Sequence, residues 1–306
     1  MEILLGIDQI KKPFVNPVVT LGNFDGVHLG HQRIFERLKN EAAKIRGEPL
    51  VITFEPHPLK ILSPRHCPPL ITPFKKKMLL IEEMGIDKVI CIEFSLAFAE
   101  ISPFEFVRDF LAEKINTKKV IIGYNYHFGK GKSGDAETLK KICKRFNIEV
   151  DVMEALIVDH IIVSSSKIRE LIQEGNVEKA SKLLGRDYPI IGKVIEGARR
   201  GNTLGFPTAN LEISEELYPK TGVYAVEVLW KNQVFKGLAN VGYNPTFHSK
   251  TFSLEVHILS FNQKIYGDEI QVIFKRRIRD EIRFDSPSHL IDQIRKDIRW
   301  AEENVF

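Results

Sequence analysis

Residues 18–31 read Val18-Val19-Thr20-Leu21-Gly22-Asn23-Phe24-Asp25-Gly26-Val27-His28-Leu29-Gly30-His31, and the way this stretch divides decides the fold. Val18 to Leu21 is a short apolar run with the look of a buried strand. Past the glycines a helical period begins, with Ile34, Leu38 and Ile45 on one side, and it stops at Gly47. A strand, a Gly-bearing turn and a helix start suit phosphate, because the first N–H groups of a helix have no partners within it. His28 and His31, three apart, share a face toward one anion if the helix starts near Gly30, and Gly30 leaves room for a nucleotide against the backbone. Polar capping of the helix by the same histidines is the plainer alternative.

Outward from this stretch, strand and helix alternate to about residue 185. Leu50–Phe54, Lys88–Phe94, Lys119–Gly123 and Ile148–Val152 read as strands. Helices open at Thr72-Pro73, at the capping box Ser102-Pro103-Phe104-Glu105 and at Asp135. Repeated βα units of this length predict a parallel, doubly wound α/β sheet, whose ligands lie at the carboxyl ends of its strands. Two more helices, Ser166–Gln173 and Val177–Leu184, read as a bridge. From Tyr188 the period changes to β-rich runs, Val223–Trp230, Val234–Val241 and Phe252–Leu259, divided by Gly, Asn and Pro. A compact antiparallel barrel is the expected second domain, followed by a C-terminal helix opening at Ser286-Pro287. The expected division is 1–185 and 186–306.

Composition sets bounds on this picture. A chain of 306 residues holds one large or two ordinary domains. Its 44 basic and 40 acidic residues leave +4, too mild a surplus to argue for a nucleic-acid partner. Three scattered cysteines, Cys67, Cys91 and Cys143, suit a reducing compartment. No apolar run nears the roughly 20 residues of a membrane span, and the N-terminus lacks a signal-peptide pattern, so a cytoplasmic protein is expected. The basic cluster Lys275, Arg276, Arg277 and Arg279 reads as a solvated face.

Several other stretches carry chemistry. Phe54-Glu55-Pro56-His57-Pro58 is a stiff turn beside a flat apolar wall, suited to an aromatic ring or simply to a rigid loop. Gly123 to Gly134, with Asn125, Phe128 and two lysines, suits a loop over a phosphorylated aromatic ligand or a solvated connection. Ser164-Ser165-Ser166-Lys167-Ile168-Arg169 either caps a helix or binds phosphate oxygens. In Gly201 to Asn210, Thr208 and Asn210 offer neutral oxygens two residues apart, suited to Mg²⁺ with nucleotide phosphates or satisfied locally. Strand alternation puts Glu255 and His257 on the face opposite Leu254 and Val256.

In this order these motifs, with Asn240–Phe247 and Arg279-Asp280-Glu281, resemble the bacterial bifunctional riboflavin kinase/FMN adenylyltransferase family, or FAD synthetases, from about residue 16 to about 302. The resemblance implies a nucleotidyltransferase-type Rossmann-like domain followed by a flavokinase Greek-key barrel. It implies phosphorylation of riboflavin to FMN and adenylylation of FMN to FAD, with ATP and Mg²⁺. By resemblance His28 and His31 act in adenylyl transfer, and Gly22, Phe24, Gly30, Asn125, Ser164, Ser165, Ser166 and Arg169 hold that ATP. Phe54, Pro56, Pro58 and Phe128 line the flavin site. In the kinase, Gly205, Pro207, Thr208 and Asn210 bind ATP, Thr208 and Asn210 hold Mg²⁺, and Glu255 is the base. Asn125 stands where many members have Asp, Ser166 where Thr is commoner, and Ala198 to Asn202 departs from the usual stretch before Leu-Gly-Phe-Pro.

Overall fold

The structure is a computed structural model that describes residues 1–197, 204–212, 217–245 and 250–306. The chain divides into two units, Met1–Ser165 and Ser166–Phe306.

The first unit contains strands β1 (Glu2–Leu5), β2 (Val18–Leu21), β3 (Pro49–Glu55), β4 (Lys88–Glu93), β5 (Lys119–Gly123) and β6 (Glu149–Met153). Between them run α1 (Leu29–Lys44), α2 (Pro58–Leu62), α3 (Phe74–Glu83), α4 (Leu96–Ala99), α5 (Pro103–Glu105) and α6 (Ala136–Lys144). The order is β1-β4-β3-β2-β5-β6, every pair parallel. Alternation sends Val18, Val51, Val89 and Ile121 into a core with Phe35 and Leu38 of α1 and Ile81 of α3. Val19, Ile52, Ile90 and Ile122 go to the opposite core with Val107 and Leu111. Burying each such side chain contributes about 1.5–3 kcal/mol, and burial on both faces is why these strands read as unbroken apolar runs.

The expected caps at Ser102 and Asp135 hold, whereas α3 starts at Phe74 with Pro73 as its N-cap and not its first helical residue. Ser102 and Glu105 form the reciprocal capping box, and the Asp135 side chain accepts from Thr138 N–H. α5 continues into a π-helical run, Phe106–Lys114, which the sequence does not announce. β1 and a small antiparallel hairpin, β7 (Ile157–Val158) with β8 (Ile161–Ile162), are further additions to the sequence reading.

The chain runs from β2 outward to β3 and β4 and returns to place β5 on the other flank of β2. That reversal makes the carboxyl ends of β2 and β5, where the Gly22–His31 and Gly123–Gly129 segments begin, the switch point at which open parallel sheets hold ligands.

The second unit contains α7, whose range Ser165–Gln173 begins at the boundary, and α8 (Val177–Leu184). A barrel follows from β9 (Tyr188–Ile195), β10 (Ala209–Leu211), β11 (Gly222–Trp230), β12 (Gln233–Pro245), β13 (Lys250–Ile258) and β14 (Glu269–Arg279), and α9 (Pro287–Asn304) ends the chain. The barrel closes in the order β10-β13-β12-β11-β14-β9, all antiparallel. β11, β12 and β13 form a meander and β14 returns beside β11, which is the Greek-key arrangement. Tyr188, Leu211, Tyr224, Val241, Leu254, Val256 and Phe274 are buried. Ala301 of α9 packs with Ala225 and Leu238.

The basic cluster is not a freely solvated face. Lys275 pairs with Asp187, Arg276 with Glu178, Arg277 with Asp280, and Arg279 with Asp297. Asp297 is 3% exposed and takes a bifurcated hydrogen bond from Arg279 Nε–H and a second bond from Nη2. Apart from Asp280, three residues from Arg277, the partners lie far off in sequence, so the run of cations looked unopposed.

Candidate active sites

In the first unit the chain leaves β2 at Gly22, where a Cβ would lie 3.0 Å from the Phe24 ring. Phe24 takes a positive φ of 50° and sets its ring edge-on to His31, centroids 5.2 Å apart. His28 caps α1: its Nδ1 accepts the His31 backbone N–H at 3.3 Å. With Nδ1 accepting, the proton of the neutral ring sits on Nε2. A Cβ at Gly30 would lie 3.2 Å from the His28 ring, so the space beside Gly30 is taken by an imidazole. The His28 ring is 5% exposed and stacks on His31.

Asp25, buried in the same loop, accepts from the backbone N–H groups of Ile71 and Thr72 at 3.2 and 3.1 Å. Its carbonyl accepts from the Ser165 hydroxyl at 2.8 Å, which ties the serine run to the histidine loop. Ser164 is half-buried just before α7, Ser166 is exposed, and Arg169 is half-buried further along that helix. Asn125 is exposed after β5, with its carbonyl 3.0 Å from His127 Nδ1.

Phe54 closes β3 and packs on Phe94 and Phe98, centroids 5.9 and 5.8 Å away. Pro56 follows a cis peptide bond, and Pro58 opens α2 beneath the cap in which His57 Nδ1 accepts from Leu59 N–H. Phe128 is 7% exposed, stacked on Tyr126 and packed on Phe106. Burial pushes the Tyr126 phenol up from its ordinary range.

In the barrel, register decides the second set. Asn210 of β10 and Asn240 of β12 lie opposite Glu255 of β13 on its two flanks. Leu254 and Val256 are fully buried, while Glu255 and His257 are half-buried on the other face, as alternation predicts. His257 Nδ1 lies 2.8 Å from the Pro207 carbonyl, and the Phe206 ring stands edge-on to it. These contacts hold the segment leading into Thr208, after Gly205 turns the chain with φ 82°. A Cβ at Gly197 would collide with the Asn210 amide, so this glycine is where that amide sits. Glu281, from the Arg279-Asp280-Glu281 segment, lays its carboxylate against Gly242, the register partner of Ser253 two residues from Glu255. Residues 198–203 and 246–247 of the quoted motifs lie outside the described residues.

Sequence reasoning assigned no role to Asn23, Asp25 or Thr53, whose contacts build the first site. Among the described residues no group of three His, Cys, Asp or Glu side chains is arranged to hold a metal. Among them, too, no helix is long and apolar enough to cross a membrane.

A family profile described as FAD synthetase matches residues 11–167, and one described as Riboflavin kinase matches residues 184–305. Curated relatives called bifunctional riboflavin kinase/FMN adenylyltransferase agree along nearly their whole length. That of Buchnera aphidicola subsp. Schizaphis graminum is 37% identical over 99% of this chain and 98% of its own. Those of Escherichia coli K12 and Listeria monocytogenes are 34% and 38% identical, over 99% and 92% of this chain and 97% and 90% of theirs. A crystal structure titled as a macrolide-efflux protein from Streptococcus pneumoniae superposes with TM-score 0.90 at 35% identity, covering 100% of this chain and 99% of that one. Two profiles in series, matched by two units with separate sets of polar residues, lead to one conclusion: the chain belongs to the bifunctional riboflavin kinase/FMN adenylyltransferase family.

Proposed function

We propose that the two reactions of this family are divided between the two units, riboflavin phosphorylation on the outer face of the barrel and FMN adenylylation at the switch point of the parallel sheet. The carrying observation is the separation of donor sets: Glu255 between Asn210 and Asn240 in one unit, the His28–His31 stack in the other.

The riboflavin 5′-hydroxyl is neutral and a poor nucleophile, so its attack on the γ-phosphorus of ATP needs a base. Glu255 takes that proton as the new O–P bond forms and ADP leaves. Thr208 and Asn210 supply two neutral oxygens, hard ligands that suit Mg²⁺ shared with phosphates, beside the Glu255 carboxylate. When bound, Mg²⁺ neutralises phosphate charge; Asn210 and Thr208 orient the nucleotide.

FMN already carries an anionic phosphate, so its attack on the α-phosphorus of ATP, with loss of pyrophosphate, needs alignment and charge neutralisation. His28 donates from Nε2, and His31, Asn125, Ser164 and Ser165 complete the cradle within the first unit together with Gly22, Phe24 and Gly30. Phe54, Pro56, Pro58 and Phe128 form the flavin side. Three free cysteines, two of them buried with thiols pushed up to about 11 (Cys91) and about 12 (Cys143), support a reducing, cytoplasmic setting.

Incubation with riboflavin, ATP and Mg²⁺ followed by separation of the flavins tests this division. The protein is expected to yield FMN and FAD, the double variant His28→Ala/His31→Ala FMN alone, and Glu255→Gln FAD only from supplied FMN. Loss of FMN formation in the folded double variant, or of FAD formation from supplied FMN in folded Glu255→Gln, would overturn it.

A further inference from the structure

Phe74-Lys75-Lys76-Lys77 has the appearance of a solvated basic run, yet Lys77 is 6% exposed. Its Nζ donates to the Asn23 carbonyl and to Thr53 Oγ1, each at 3.3 Å, and lies 5.4 Å from the Phe74 ring centroid. Among the described residues no carboxylate forms an ion pair with it; Glu55, Asp25 and the Cys91 thiol are its titratable surroundings. Burial pushes its pKa down. An ammonium placed so deep without a carboxylate partner is costly, and a methionine would fill the volume. Packing alone does not account for it.

What Lys77 holds is informative. Thr53 Oγ1 also donates to the Asn23 carbonyl, at 3.4 Å, so the loop after β2 and the end of β3 meet at this amine. The Asn23 side chain in turn reaches His57, Nδ2 to Nε2 at 3.4 Å, in the turn between Pro56 and Pro58. Two residues on, Asp25 accepts from Ile71 and Thr72, which lead into α3. α3 and the segment leading into it therefore hold the Asn23–Asp25 loop at two points, through Lys77 and through Ile71 and Thr72. That loop runs into the His28 cap, and the turn on the other side carries Phe54, Pro56 and Pro58.

We propose that Lys77 is a positioning residue for adenylyl transfer: its buried ammonium locks the nucleotide-side loop after β2 to the flavin-side turn after β3, fixing how the FMN phosphate meets the α-phosphorus of ATP. This rests on the assignment of adenylyl transfer to the first unit. A misplacement of about 1 Å costs about 10²-fold in rate, which sets the expected scale.

The test uses the full chain with Lys77→Met, Thr53→Val and their combination. FAD formation is measured against both substrates, and riboflavin phosphorylation is measured in the same preparations. Lys77→Met should lower kcat for FAD formation by about 10- to 100-fold, with KM for ATP and FMN within about threefold and phosphorylation unchanged. Thr53→Val should lower kcat by about three- to tenfold, and the double variant should be no worse than Lys77→Met, because both act through one junction. An unaffected kcat, an equal loss of phosphorylation, or multiplying losses in the double variant would overturn the proposal. If Lys77→Met does not fold, Thr53→Val decides: a wild-type kcat in that variant removes Lys77 from the reaction. His28→Ala run alongside separates the two levels. FAD formation surviving His28→Ala refutes the site itself, whereas its loss beside active Lys77 and Thr53 variants refutes the Lys77 inference alone.

Discussion

His28 and His31 stack ring on ring, centroids 3.5 Å apart and planes 18° from parallel, while His28 also accepts the His31 backbone N–H. One side chain thus starts the helix and presents an imidazole.

The two tasks separate in His28→Asn. Asparagine is among the best N-caps, so α1 should start as before. The imidazole is lost, and FAD formation should fall by about 10²–10³-fold, as for removal of one preorganised donor. Thermal unfolding and flavin product ratios check both halves. His28→Ala, which loses the cap too, should be less stable by about 1 kcal/mol.

Glu255→Gln keeps the shape beside Asn210 and Asn240 but cannot take a proton. FMN formation should drop by about 10²–10⁴-fold with riboflavin binding little changed, measured by initial rates and flavin fluorescence titration. A rate within a few-fold of wild type would remove Glu255 from the chemistry.

Gly197→Ala places a methyl group on the Asn210 amide. Phosphorylation should fall by about 10²-fold while FAD formation from supplied FMN stays at its original rate, measured in parallel assays.

Glu41, buried on α1, accepts from Lys119 and from Lys44, each at 2.6 Å, and these bonds hold its carboxyl at about 2 against an ordinary 4.5. A depressed carboxylate stabilises the fold above its unfolded pKa, and that contribution drains away as pH falls toward the folded value. Glu41→Gln should therefore cost about 2 kcal/mol at pH 7, with the gap to wild type closing as pH falls from about 5 to about 2 in denaturant titrations.

α8 packs on β9 and β14, burying Val177, Ala180, Leu183 and Leu184, and Glu178 pairs with Arg276 of β14. A fragment from Ser166 to Phe306 should fold and phosphorylate riboflavin. A fragment beginning at Gly185 should unfold at a lower temperature, since each lost apolar contact is worth about 1.5–3 kcal/mol. Calorimetry on the two fragments checks this.

The buried strands, the helix caps and the face of Glu255 were legible because each depends on residues close in sequence. Val18-Val19-Thr20-Leu21 declares a doubly buried strand, Ser102 and Glu105 declare a cap, and Leu254-Glu255-Val256-His257 declares its two faces. β1 escaped because it is an edge strand of four residues, largely exposed and paired through Glu2↔Lys88 across the chain. Lys77 escaped because its partners, Asn23 and Thr53, are 54 and 24 residues away, and a third lysine in a row looks solvated. The basic stretch of β14 misled for the same reason: its counter-charges come from Glu178, Asp187 and Asp297. Local pattern reveals which face a residue takes; what meets it there is a property of the closed fold.

If Glu255 is the base proposed above, its pairing with Asn210 and Asn240 also couples catalysis to accurate assembly. Side chains in a strand alternate with a period of two, so a slip of β13 by one residue would drive Glu255 into the apolar interior and bring Leu254 or Val256 out in its place. No partly active product is available from such an error. Turnover of riboflavin thus doubles as a census of correctly threaded barrels, countable in a refolding mixture without any structural probe.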